Sequence, residues 1–265
     1  MAEVTGVTSN VLKRVVRIVV GPASATAFTI DVDGRQYLVT AKHVIATLKK
    51  ADEKVQICGS GGKCIDTEVS ILRCEDPIDI AVLVPRALQT VTFPLPATSD
   101  GMVLGQDVYF VGFPYADQAL TTTVQTESIG FVRKAVWSAQ ERKDNFNRMY
   151  FDGRNNSGFS GSPIVYLEQG KPGFDFKVAA VVSGYRSDID QVMKLVPIKP
   201  EEITDEDRAL NLIISFADGS YRKLTPTDQV IRRNTGIIIA YRAPRTMLVQ
   251  RIFYHPARTV SRFRE

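Results

Sequence analysis

Asn155-Asn156-Ser157-Gly158-Phe159-Ser160-Gly161-Ser162-Pro163 sets a serine between two glycines and leads into the apolar run Ile164-Val165-Tyr166. Gly158 and Gly161 allow a turn so tight that backbone amides, rather than side chains, face a reacting carbonyl. The Ser160 hydroxyl is then a candidate nucleophile. The same composition also suits a plain turn entering a strand, because Gly, Ser and Asn dominate turns. A serine hydroxyl is a weak nucleophile that needs a base, and the base needs a third group to hold its tautomer. Which reading holds therefore depends on what else the chain carries.

Two histidines exist, His43 and His255. His255 stands at the end of a C-terminal helix expected from Pro244 to about Tyr254, a place for capping or surface exposure. His43 follows the apolar strand Tyr37-Leu38-Val39-Thr40 and then Ala41-Lys42. For the third group, Asp79 immediately precedes the buried run Ile80-Ala81-Val82-Leu83, which would set its carboxylate behind the imidazole. Asp76 competes for that role, but in Glu75-Asp76-Pro77 it reads as a turn residue.

Thr40-Ala41-Lys42-His43, Asp79-Ile80-Ala81-Val82-Leu83 and Gly158-Phe159-Ser160-Gly161-Ser162-Pro163 together resemble the histidine, aspartate and nucleophile motifs of chymotrypsin-fold serine peptidases. The closest likeness is to bacterial HtrA-like protease domains, through Gly105 to Pro114, Asp152, Asn156 and Val181 to Tyr185. The order is His43, Asp79, Ser160, with gaps of 36 and 81 residues. The resemblance implies an all-β fold of two six-stranded barrels with a C-terminal helix. It also implies acyl transfer, with Ser160 as nucleophile, His43 as base and Asp79 as its support. The backbone amides of Gly158 and Ser160 become oxyanion donors, and Arg154, Asn155, Asn156 and Ser157 face Ser183, Gly184 and Tyr185 across the substrate pocket. Neither a metal nor a cofactor is implied, and the partner is a polypeptide substrate, with an activator or regulatory protein as a further one.

Three departures from that family matter. Phe159 stands where digestive relatives carry an aspartate that pairs with a freshly cut N-terminus, so that activation route is not expected. Ser162 replaces a glycine. Arg154 takes the place of the acid that selects Lys or Arg substrates; it either favours acidic side chains or points outward and leaves an apolar pocket.

Short strands punctuated by turns run through both halves of the chain. Val11–Val20, Thr26–Val32, Gln36–Thr40, Lys54–Cys58, Ile65–Arg73 and Ile80–Pro85 are expected in an N-terminal barrel over residues 1–100. Ala41–Lys50 between them is expected to be a short helix. The second barrel spans 101–254, with strands over Gln106–Val111, Thr121–Val136, Arg148–Asp152, Pro163–Leu167, Phe176–Gly184 and Gly236–Tyr241. It is interrupted by an inserted α/β hairpin segment at 187–234, and 255–265 form a basic tail. In the insertion, Thr204 and Asp207 read as a helix-start box. Leu212–Phe216 and Ser220–Leu224 form a hairpin, and Thr225-Pro226 opens another helix. The hairpin at 212–224 either screens substrate or decorates the surface.

The net charge of +4 does not itself point to nucleic acid. Eight arginines lie between Ile231 and the end, with no lysine, and these are expected to be a solvated surface. No apolar run is long enough to span a membrane, and no secretory signal is read. Three cysteines, an odd number, favour reduced thiols and a cytoplasmic setting, although Cys58 and Cys64 flank a glycine-rich turn that could face them together. A protein of this fold without catalysis, acting as a scaffold through its surface, is the rival reading.

Overall fold

A computed structural model of the chain describes residues 6–59, 63–92, 95–114, 122–124, 127–143, 146–168 and 175–243. Six strands make a closed barrel in the order β1-β2-β3-β6-β5-β4: β1 Val15–Val20, β2 Ala23–Val32, β3 Arg35–Thr40, β4 Asp52–Cys58, β5 Cys64–Arg73 and β6 Ala81–Pro85. A second sheet contains β7 Asp107–Gly112, β10 Phe131–Lys143, β11 Phe146–Asp152, β12 Pro163–Leu167, β13 Phe176–Ile198, β14 Ile213–Ser215 and β15 Tyr221–Arg242. Its β11–β15 pairing joins the two ends of β11-β10-β7-β12-β13-β15, so these strands close on themselves as well. Two short strands, β8 Thr122–Val124 and β9 Glu127–Ile129, pair with each other.

The apolar runs of β3 and β6 lack polar alternation because both faces are buried. Leu38 and Leu83 point into the first barrel with Ile18 and Ile57. Their neighbours Val39 and Val82 point outward, into a second cluster with Phe28, Phe113, Val165 and Val178. That cluster draws on both barrels and packs them together. Phe110, Phe151, Ile164 and Val182 fill the second barrel.

Several expectations need correction. The start is not one strand from Val11: Ser9–Leu12 forms a helical turn, α1, and pairing begins at Val15. His43 sits in a 3-10 turn limited to Lys42–Ile45, not in a helix to Lys50. The strand read as ending at Gly184 runs on to Ile198. Thr225-Pro226 lies inside β15, not at a helix start. There the Thr227 hydroxyl donates to the Val192 carbonyl, and Gln191 donates to Thr227 O, so side chains supply bonds around a proline that cannot donate. The cysteine expectation also fails. Cys58 and Cys64 are direct partners in the β4–β5 hairpin, and they form a disulfide. Cys74 lies outside that disulfide, and a chain that carries one gives no reason to expect reduced thiols or a cytoplasmic setting.

Backbone contacts divide the chain into two compact units, one holding both barrels and the other comprising Arg186–Thr235. The second unit is a ribbon made from the far ends of β13 and β15. It carries a helix, α2 Asp205–Ala209, and the β14 hairpin. Thr204 and Asp207 cap α2 reciprocally, as the sequence suggests. The helix expected from Pro244 and the tail at 255–265 lie outside the described residues. Among the described residues no helix is long and apolar enough to cross a membrane.

Candidate active site

Strand pairing carries His43 to Asp79. β3 and β6 are antiparallel, with Thr40 opposite Ala81, so the residues just beyond that pair meet each other. Lys42 N–H donates to the Asp79 carbonyl at 3.3 Å. Ile78 and Ile80 are buried on either side of Asp79 and anchor its backbone. The Asp79 carboxylate receives His43 N–H on Oδ1 at 2.9 Å and faces His43 Nδ1 with Oδ2 at 2.7 Å. A carboxylate there makes Nδ1 the protonated nitrogen, which leaves Nε2 as an acceptor. Nε2 lies 3.0 Å from Ser160 Oγ. Asp76, the competing acid, is on the surface and pairs with Lys42 at 2.6 Å.

Ser183 touches both ends of this row. Its hydroxyl donates to Asp79 Oδ2 at 2.6 Å, and its carbonyl lies 3.3 Å from Ser160 Oγ. Burial pushes the Asp79 carboxyl up, but hydrogen bonds from His43 and Ser183 outweigh it. The group is held below its ordinary value. The His43 side chain is 50% exposed, so the row opens to solvent where a substrate would approach.

The turn that carries Ser160 is held from below and behind. Gly158 and Gly161 have φ of 99° and 86°, in the left-handed region that glycine tolerates. A Cβ on Gly161 would stand 2.1 Å from Thr26 O, so the turn lies directly against the first barrel. Phe159 is fully buried, its ring 4.9 Å from that of Phe110 in an edge-to-face pair. An apolar anchor thus occupies the position of an ion-paired acid. Gly161 N–H donates to Val182 O, and Ser162 O accepts from Val182 N–H. Among the described residues nothing accepts from the amides of Gly158 and Ser160. Two free N–H groups beside a serine hydroxyl are what a developing oxyanion requires.

Across the expected pocket, Arg154 and Ser157 are exposed, while Asn156 is half-buried. Asn155 is buried, and its Nδ2 donates to Gly184 O at 3.1 Å. That bond ties one wall to the other. Tyr185 is 39% exposed. Among the described residues no cluster of His, Cys, Asp or Glu could hold a metal ion.

Sequence reasoning did not assign the Ser183 hydroxyl, the Asn155 crossing, or Thr26. The last had a signal: it is a hydroxyl inside the apolar run Ala25-Thr26-Ala27-Phe28, and a buried hydroxyl needs a partner.

The family model for a trypsin-like peptidase domain matches residues 25–172. Among solved structures, the HtrA-type protease AlgW with tripeptide superposes with a TM-score of 0.52 at 15% identity, over 91% of this chain and 60% of that one. A variant of the same protein gives 0.54, over 93% and 62%. The active form of Rv3671c protease from M. tuberculosis gives 0.49 at 18% identity, over 67% and 73%. No curated protein matched the chain.

Proposed function

The chain belongs to the trypsin-like peptidase family, and on that premise we propose that it is a serine endopeptidase working through an acyl-enzyme. Ser160 Oγ attacks a peptide carbonyl carbon as His43 Nε2 takes its proton. The carbon–nitrogen bond then breaks, and the same proton passes from Nε2 to the departing amine. Water repeats the sequence against the ester and restores Ser160. Asp79 keeps the proton on Nδ1 in the resting state and supports the imidazolium that forms. The Gly158 and Ser160 amides receive the oxyanion. Residues 183–185 pair with substrate backbone, and Arg154 to Ser157 face them.

One observation carries this reading: the unbroken row Asp79–His43–Ser160, with contacts of 2.7 and 3.0 Å, beside two amides with no acceptor among the described residues. The burial of Phe159 supports activity without a cut N-terminus, since the residue beside the nucleophile is fixed by packing. The exposure of Arg154 favours the outward-pointing version of that side chain, and with it substrates that are neither basic nor selected by charge. Purified protein should release fluorescence from a labelled unfolded polypeptide, and Ser160→Ala should abolish the release. Equal rates for both proteins would reject the assignment. No release from either would favour a non-catalytic scaffold.

A further inference from the structure

We infer that Thr26, on the first barrel, is a positioning residue that sets the oxyanion amides of the nucleophile turn. This rests on the proposed role of Ser160. Thr26 is fully buried and reaches no reacting atom. Its N–H donates to Ser160 O at 3.0 Å. Its Oγ1 donates to Gly158 O at 2.8 Å and accepts from Phe113 N–H at 3.0 Å. Its own carbonyl accepts from the Thr40 hydroxyl at 2.8 Å, three residues before His43.

The consequence follows from peptide planarity. An amide points where its peptide plane points. The Ser160 N–H belongs to the plane between Phe159 and Ser160. The planes before and after it carry the Gly158 and Ser160 carbonyls, and Thr26 holds both. Gly158, at φ 99°, has the freedom to rotate if its carbonyl is released. Within the turn, Phe159 N–H donates to Asn156 O at 3.3 Å and Ser162 N–H to Phe159 O at 2.9 Å; the Thr26 hydroxyl adds the restraint from the first barrel that keeps the amides aimed at the reacting carbonyl. Space is tight as well: a Cβ on Gly112 would come within 2.7 Å of Thr26 Oγ1. Because Thr40 joins the same network, one residue couples the strand leading to the base with the turn carrying the nucleophile.

Thr26→Val keeps the shape and removes the hydroxyl; Thr26→Ser keeps the hydroxyl and removes the methyl. Misplacement on the scale of an ångström typically costs about 10²-fold in rate. Thr26→Val should therefore lower kcat about 10²-fold with KM within about twofold. Affinity for a peptide aldehyde, which forms a tetrahedral adduct, should fall in parallel with kcat. Thr26→Ser should recover most of both. The inference is overturned if Thr26→Val keeps kcat near wild type, or if the serine variant falls as far as the valine one. It is also overturned if KM alone moves. Should Thr26→Val not fold, Thr26→Ala takes its place. If neither folds while Thr26→Ser does, the hydroxyl serves the fold and not the turn, and the inference fails. Ser160→Ala runs alongside: its retaining activity would reject the nucleophile assignment itself, whereas its loss together with an unaffected Thr26→Val rejects only the role of Thr26.

Discussion

Replacing Asp79 by Asn changes one atom and should disable the site, for a reason that can be worked from its hydrogen bonds. Asp79 accepts three: from His43 N–H at 2.9 Å on Oδ1, and from His43 Nδ1 at 2.7 Å and Ser183 Oγ at 2.6 Å on Oδ2. An amide offers one acceptor edge and one donor edge. If its NH2 group faces the His43 backbone, two N–H groups oppose each other, and neither can change role. If it faces Nδ1, the imidazole moves its proton to Nε2, and Ser183 turns its hydroxyl to accept. The second arrangement satisfies every group and is favoured. It also leaves Nε2 as a donor, unable to take the Ser160 proton. Loss of the correct tautomer in such a triad costs about 10⁴ in kcat, equivalent to about 5.5 kcal/mol of barrier. Steady-state kinetics on a fluorogenic peptide should show that fall in kcat with KM changed little. Ser183→Ala removes one donor and leaves the tautomer intact, so its loss should stay below about tenfold. If Asp79→Asn kept kcat within about tenfold of wild type while correctly folded, the assignment of tautomer control to Asp79 would be refuted.

The remaining expectations concern stability and specificity. The Asp79 carboxyl titrates lower in the fold than its ordinary value of 3.8, so the folded chain holds fewer protons around that value. Its contribution is present above about pH 4 and is lost as the pH falls below. Urea unfolding should show the stability gap between wild type and Asp79→Asn narrowing as the pH falls from 6 towards 2; a gap that widened would have the wrong sign. The Cys58–Cys64 disulfide closes a short loop, with six residues of separation. Replacing both cysteines by serine should cost about 2 kcal/mol in denaturant unfolding, and an unchanged midpoint would show that the hairpin does not depend on it. In a peptide library, cleavage after Lys or Arg should be rare, since Arg154, exposed, stands where an acid would be needed to pair with a basic side chain. Dominant cleavage after basic residues would contradict its assigned place.

Much of the fold was legible because both barrels rely on short strands with clear ends. Pro163–Leu167 coincides with its expected strand, and Asp33-Gly34 marks the β2–β3 turn. The candidate site was legible for a different reason: its chemistry needs particular residue types beside particular strands, and His43, Asp79 and Ser160 satisfy that in order. The ribbon was hard to read. Ile189, Val230 and Ile231 in its strands are about 60% exposed, so no buried face imposes a two-residue period on its sequence. Its two strands match through backbone bonds, which composition does not record. The disulfide was left open, with reduced thiols favoured, because an odd cysteine count speaks for the whole chain. The register of one hairpin decides one pair. Thr26 and the Ser183 hydroxyl were missed because their roles depend on contacts across 132 and 104 residues of sequence.

The central claim is that Ser160 is a nucleophile activated by His43. Incubating the folded protein with a fluorophosphonate and mapping the adduct by mass spectrometry tests it directly. The expected result is one adduct, on Ser160, absent from Ser160→Ala and strongly reduced in His43→Ala. An adduct on another residue, or equal labelling in Ser160→Ala, would contradict it.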